Sequence, residues 1–219
     1  MPASTPGRIE ALLAALARET DPHTTVSEPA AALERHVADS LSGLEIEALH
    51  EAARIADIGA GAGFPGLALA LALPGAEVDL IESASRKTAV IARLATAAET
   101  VNARAVTARA EEWGAGEGAC AYEAVTARAV AALPVLVEYA APLLALGGTF
   151  VAWKGVRDPT EESAGAQAAS VLGLTPGPIV SVKPFPSATD RHLHIFVKSA
   201  PTPDRFPRRP GMAVKRPLA

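Results

Sequence analysis

The chain has 219 residues, 49% of them apolar, with 20 Lys or Arg against 24 Asp or Glu, which suits one globular domain with a proper core. It holds no run of about 18 uncharged apolar residues to cross a bilayer, no charged-then-apolar leader with a small-residue cleavage site, and one cysteine, Cys120, which excludes an internal disulfide framework. A cytoplasmic location follows. The net charge of −4 conceals an asymmetry, because residues 183–219 carry eight cations (Lys183, Arg191, Lys198, Arg205, Arg208, Arg209, Lys215, Arg216) and two acids (Asp190, Asp204). That segment stands at +6 and the remainder at −10, a split that fits an anionic partner met by one face and, on charge alone, equally a solvated tail.

Residues 8–19 read as an amphipathic helix broken by Thr20-Asp21-Pro22. A second helix is predicted over 28–41, with Ser27 as N-cap and Pro29 in the first turn, where a missing N–H costs nothing. Next comes a short apolar run, Arg54-Ile55-Ala56, then Asp57-Ile58-Gly59-Ala60-Gly61-Ala62-Gly63-Phe64-Pro65-Gly66, then a helix over 67–73. A glycine-rich turn between strand and helix marks a backbone that passes close to a ligand. Its end is a literal GxGxxG, the dinucleotide fingerprint, in which a pyrophosphate rests on free N–H groups. Pro65 argues against that reading, since proline removes a donor where an anion needs one. With Asp57 ahead of the first glycine, the loop instead resembles motif I of class I methyltransferases, which implies that Gly59, Gly61 and Gly63 line S-adenosylmethionine, with Phe64 either packing on its methionine chain or capping the core.

Strands are expected at 77–82, 105–108, 124–127 and 149–153, with helices at 86–98, 131–146 and 161–172 between or after them. Residues 179–183 and 193–198 look like an antiparallel pair. Repeated β-α units imply a mostly parallel, doubly wound Rossmann-like sheet, with ligands beyond the carboxyl ends of its strands. The parts are then a helical extension at 1–50, the methyltransferase domain at 51–200 and a basic irregular strap at 201–219. Glu82, closing the second strand, suits both ribose hydroxyls, and Ala110-Glu111 after the third suits the adenine edge. Glu112 beside it is a substitute.

The fourth strand ends in Ala127-Arg128-Ala129-Val130. It lacks the Asn or Asp with two prolines and an aromatic that amine methyltransferases place there. Cys120 lacks the proline context of a cysteine nucleophile. Arg128 offers a permanent cation with a planar fork of donors, for a cofactor carboxylate, a phosphate or a purine edge. The five histidines show no metal-ligand spacing.

Several segments together resemble one family, the bacterial 16S ribosomal RNA guanine-N7 methyltransferases, also called glucose-inhibited division protein B. They are Glu34-Arg35-His36, Asp39-Ser40-Leu41, the 57–66 loop, Leu80-Ile81-Glu82-Ser83 with Arg86-Lys87, Arg109-Ala110-Glu111-Glu112, residues 127–133, Trp153-Lys154-Gly155, Arg191-His192-Leu193 and Phe206-Pro207-Arg208-Arg209-Pro210-Gly211. The resemblance implies that Gly59, Phe64, Ala110, Glu111 and Arg128 contact S-adenosylmethionine, and that Arg128 and Lys154 serve catalysis. It also implies that Lys154, Arg191, His192 and the basic tail (Arg205, Arg208, Arg209, Lys215, Arg216) lie near 16S RNA or the small ribosomal subunit. The enzyme would be monomeric and need no metal. One departure is the stretch Asp21-Pro22-His23-Thr24-Thr25-Val26, where the family carries an Asn-Leu-Thr segment, which predicts a reduced N-terminal wall. Two alternatives stand beside this reading: a small-molecule methyltransferase, disfavoured by the basic C-terminus, and a non-catalytic module binding S-adenosylmethionine or RNA, motivated by the altered N-terminal stretch.

Overall fold

Seven strands form one sheet in the computed structural model, which describes residues 4–219. Residues 1–3 of the expected extension lie outside the described residues. Strands β1 (Arg54–Ile58), β2 (Glu77–Glu82), β3 (Ala103–Thr107), β4 (Tyr122–Arg128) and β5 (Leu144–Lys154) run parallel. The C-terminal pair, β6 (Leu174–Ser181) and β7 (His192–Lys198), is antiparallel, and β7 adds to β5. The order β3-β2-β1-β4-β5-β7-β6 reverses direction between β1 and β4. This is the doubly wound sheet that the alternating pattern predicts.

Helices cover both faces, so the central strands are apolar almost throughout. Ile55, Val78, Leu80 and Val151 point to one side, where α1 (Thr5–Arg18), α5 (Gly66–Ala72) and α6 (Ser85–Ala97) bury Leu12, Leu16, Leu67 and Ile91. Ala56, Ile58, Val125 and Phe150 point to the other, against Leu136 and Val137 of α8 (Leu133–Ala140) and Leu172 of α9 (Pro159–Leu172).

Several elements differ from expectation for local reasons. The second helix is capped by Glu28, whose carboxylate accepts the N–H groups of Ala30 at 3.0 Å and Ala31 at 2.8 Å. A carboxylate at the positive helix end does more there than Ser27. That helix is also not uniform: α2 (Pro29–Ala32) passes into a π turn (Leu33–Ala38), α3 (Asp39–Leu41), a 3-10 turn (Ser42–Glu45) and α4 (Glu47–His50). In the π turn the Asp39 N–H reaches back five residues to the Glu34 carbonyl, a widening typical of functional positions. The helix expected over 131–146 stops at Ala140, since Pro142 cannot continue it, and 144–146 join β5 instead. An unexpected helix, α7 (Ala110–Gly114), follows β3. Edge strand β6 starts at Leu174 and accommodates Pro176 and Pro178 beside a register shift, as edge strands do. Within the 201–219 strap, α10 (Met212–Lys215) packs on α8, and Phe206 is buried with that side of the core. Among the described residues no helix is long and apolar enough to cross a membrane.

Candidate functional site

A cavity of about 840 Å³ opens where the strand order reverses, beyond the carboxyl ends of β1, β2 and β4, the place expected for a ligand in an open α/β sheet. Its floor is the glycine loop. Gly59, Gly61 and Gly63 take φ of +66°, +56° and +95°, and a Cβ on Gly59 would lie 2.6 Å from the Val130 side chain. Asp57 holds the loop from beneath: one carboxylate oxygen accepts the Gly66 N–H at 2.9 Å, the other the Thr126 hydroxyl at 3.0 Å. Burial pushes this carboxyl up to about 7, against the pull of those two donors and of Arg128. The Leu67 N–H is likewise taken, by the Gly63 carbonyl at 2.7 Å. The helix start therefore has its first donors bonded within its own loop, which leaves no cradle for a pyrophosphate and agrees with the meaning read into Pro65.

Glu82 stands on the adjoining wall, 6% exposed. It accepts N–H groups from Gly61 at 3.2 Å and Ala84 at 3.0 Å, with Lys87 3.8 Å away. A carboxylate so fixed still has lone pairs for a diol. Further along, Ala108 to Glu111 and Tyr139 of α8 line the cavity together. Glu111 accepts the Gly211 N–H at 2.8 Å, so it ties the C-terminal strap to this end of the cavity, whereas Glu112 accepts the N–H of Arg109 at 3.3 Å.

The opposite wall is built from charges that meet across long stretches of chain. Arg128 donates to an Asp39 carboxylate oxygen at 2.9 Å and to the Arg35 carbonyl at 3.2 Å. The π turn leaves that carbonyl available. Arg191 approaches the other Asp39 oxygen at 3.4 Å, and Asp39 is itself buried. His36 stacks on Phe64 with ring centres 4.8 Å apart, and burial, then the Arg128 charge, holds its imidazole below the usual histidine range. Trp153 is buried and donates to the Asp39 carbonyl at 2.8 Å.

Of the residues expected at the site, Gly59, Gly61, Phe64, Glu82, Ala110, Glu111, Arg128, Lys154 and Arg191 line this cavity. Asp57 and Gly63 lie beneath the lining and shape it. Lys154 is bound to Glu161 at 2.6 Å, and the His192 ring lies 2.9 Å from the Gly155 carbonyl. The tail residues stand away from the cavity, with Arg205, Arg209, Lys215 and Arg216 exposed. Arg208 is different: both arms of its guanidinium grip Glu138, at 2.7 and 2.5 Å, and one also meets the Arg216 carbonyl at 2.8 Å. It fastens the strap to α8, a task that competes with the phosphate contact expected of it. Phe206 beside it is buried, so its ring is not free to stack on a base.

Sequence reasoning gave no role to His36, Asp39 or Tyr139, nor to the wall made by His23, Thr24, Thr25 and Val26. His36 and Asp39 were visible only as motif letters. The 23–26 stretch, expected to leave a reduced wall, lines the cavity. Among the described residues, no group of three or more His, Cys, Asp or Glu could hold a metal ion.

A family model described as rRNA small subunit methyltransferase G matches residues 13–193. The chain belongs to this family. Its relatives include the ribosomal RNA small subunit methyltransferase G of Rubrobacter xylanophilus, 43% identical over 199 residues that cover 87% of this chain and 75% of that one. The protein of the same description from Chloroflexus aggregans is also 43% identical, with 89% and 82% covered. Two solved structures share the fold. A predicted O-methyltransferase, protein Atu636 from Agrobacterium tumefaciens, is 24% identical with a TM-score of 0.58 over 74% of this chain and 81% of that one. The Burkholderia thailandensis 1,6-didemethyltoxoflavin-N1-methyltransferase, with S-adenosylhomocysteine bound, is 15% identical with a TM-score of 0.58, covering 90% and 92%. At such identities the likeness speaks for the class I methyltransferase fold. The family match spans the motif series from Glu34 to Leu193 and stops before the basic strap.

Proposed function

We propose that this chain is an S-adenosylmethionine-dependent methyltransferase that methylates N7 of a guanine in 16S ribosomal RNA. The observation that carries the reading is the two-walled cavity, with the glycine loop and Glu82 on one side and the Arg128, Lys154 and Arg191 cations on the other, in a chain of this family. The residues fit that cofactor: Glu82 is a fixed acceptor for a ribose diol, Ala110 and Glu111 line the end of the cavity beyond it, where an adenine would lie, and the loop donors are already satisfied. When bound, S-adenosylmethionine supplies a sulfonium methyl that a lone pair such as guanine N7 takes directly, without prior removal of a proton.

The task left to the protein is alignment, and holding two reactants in line removes much of the entropic barrier of a bimolecular transfer. Gly59, Gly61, Phe64, Glu82, Ala110 and Glu111 hold the cofactor, over a loop that Asp57 and Gly63 shape. Arg128 fixes the acceptor wall through Asp39. Lys154, Arg191 and His192 meet the RNA at the mouth, and Arg205, Arg209, Lys215 and Arg216 extend that contact along phosphates, while Arg208 secures the strap. The helical extension at 1–50 supplies the acceptor wall through residues 23–39, with 51–200 the methyltransferase domain and 201–219 the basic strap of a monomeric, cytoplasmic enzyme.

The test is incubation with unmodified small-subunit RNA or intact subunits and methyl-labelled cofactor, followed by chemical cleavage at N7-methylguanine. One cleavage position in 16S RNA is expected. Label confined to a small molecule, to an exocyclic amine, or to no product at all would overturn the reading.

A further inference from the structure

We infer that His36 is a positioning residue for methyl transfer: its uncharged ring fixes Arg128 and the 24–26 wall against the cofactor loop. The inference rests on the functional reading above, and it stands on where both ring nitrogens go. Nε2 lies 2.9 Å from the Val26 carbonyl oxygen and 3.0 Å from the Thr24 hydroxyl. Nδ1 lies 3.3 Å from an outer nitrogen of Arg128. A carbonyl only accepts and a guanidinium only donates, so Nε2 carries the hydrogen and Nδ1 is bare. The partners dictate one neutral tautomer.

Four separate segments meet at this ring. Phe64 brings the glycine loop by stacking at 4.8 Å and 13°. Arg128 brings the end of β4, Thr24 and Val26 bring the stretch that departs from the family pattern, and the π turn supplies His36 itself. The π turn also aims the Arg35 carbonyl and Asp39 at the same guanidinium. Arg128 thus takes its direction from one turn of chain, and His36 transmits that direction to the cofactor loop and to the wall.

A second proton would undo this, because a hydrogen on Nδ1 faces the guanidinium hydrogens and sets cation against cation. The charged groups around the ring are Arg128 and Asp39 on its own turn, with Arg191 beyond Asp39; the titratable His23, which lines the same cavity, lies 3.1 Å from Asp21. Burial and Arg128 disfavour the protonated ring, while Asp39 and the carbonyls of Val26 and Arg35 favour it. The ring is neutral near neutral pH and loses its function on acidification.

Two variants separate positioning from packing. His36→Phe keeps a flat ring on Phe64 and loses the hydrogen bonds of both ring nitrogens, whereas His36→Gln keeps a donor and an acceptor but does not titrate. With 16S RNA or small subunits at about pH 8, H36F should lose on the order of 10- to 100-fold in kcat, with KM for S-adenosylmethionine within about threefold. H36Q should recover much of the rate. The wild-type kcat should fall with a one-proton slope on the acid side of the ordinary histidine range, and H36Q should be flat there. Should H36F not fold, the H36Q profile and the wild-type histidine nitrogen NMR spectrum decide. An Nδ1–H tautomer, an acid limb unchanged in H36Q, or H36F as fast as wild type would overturn the inference while leaving the methyltransferase reading intact. Absence of product from the wild-type enzyme would instead overturn that reading, and this inference with it.

Discussion

Asp57 links the stability of the fold to the shape of the cofactor loop, and replacing it with asparagine measures that link. Its carboxyl is fully buried and pushed up to about 7 from 3.8. Between those values the unfolded chain has released its proton while the folded chain keeps it, so the unfolded state binds fewer protons and stability falls as pH rises. The fall begins near the unfolded value and levels off above about 7. A shift of about three units at 1.36 kcal/mol each is on the order of 4 kcal/mol in total, of which about 3 lies between pH 5 and pH 8. Asparagine does not titrate. Its oxygen can still accept the Gly66 N–H, and its amide can donate to Thr126, whose hydroxyl then turns to the Ala56 carbonyl 3.4 Å away. The stability of D57N relative to wild type should therefore rise by about 3 kcal/mol from pH 5 to pH 8, measured by urea unfolding at constant ionic strength. Taking the difference cancels every other titrating group. A pH-independent difference would refute the claim that Asp57 is buried with a raised pKa.

Three further outcomes test the two walls and the strap. Glu82→Ala should weaken S-adenosylmethionine binding about 10- to 100-fold by calorimetry, the range for a lost hydrogen bond to a charged group, and an unchanged Kd would remove Glu82 from the site. Gly59→Ala places a Cβ 2.6 Å from Val130 at positive φ, at a cost of roughly 1–3 kcal/mol in backbone strain. Val130→Ala should restore only the steric share in a double-mutant cycle, and a purely additive pair would contradict the contact. Neutralising Arg205, Arg209, Lys215 or Arg216 should each reduce the dependence of log affinity on log salt by about 0.7–0.9 for RNA. Arg208→Gln should instead destabilise the fold by about 3 kcal/mol, because Glu138, 1% exposed on its side chain, would be left unpaired. Equal salt effects from all five would refute that division of labour.

What the sequence made legible was local. The strand, glycine turn and helix from Arg54 to Ala72 follow from contiguous residues, and Glu82 declares itself by closing an apolar run. Pro65 could be interpreted before any coordinates because its missing donor is a property of one residue. The rest depends on partners far apart in the chain. Arg128 meets Asp39 across 89 positions, Arg208 meets Glu138 across 70, and the Gly211 N–H meets Glu111 across 100. No periodicity announces such pairs. The π turn was equally hidden, since its residues carry the same helical pattern as an α-helix and differ only in hydrogen bonding.

The same long-range pairing revises the charge argument with which the basic tail began. Eight cations after residue 182 gave a net +6, but Arg191 shares the Asp39 carboxylate with Arg128, Arg208 is balanced by Glu138, and Lys198 is buried with the Ala141 and Leu172 carbonyls. The exposed cations of this segment are Lys183, Arg205, Arg209, Lys215 and Arg216, against Asp190 and Asp204. A partner meeting all five would release about one counterion for each, a contribution to the salt slope of roughly four units for a single strand and no more. All eight cations counted alike would allow roughly five to six. The remaining attraction for an anionic substrate must then arise at the cavity mouth, where Arg128 and Arg191 share the one Asp39 carboxylate and leave a single uncompensated positive charge, while Lys154 is paired with Glu161, so that these residues draw a phosphate in weakly and chiefly fix its position.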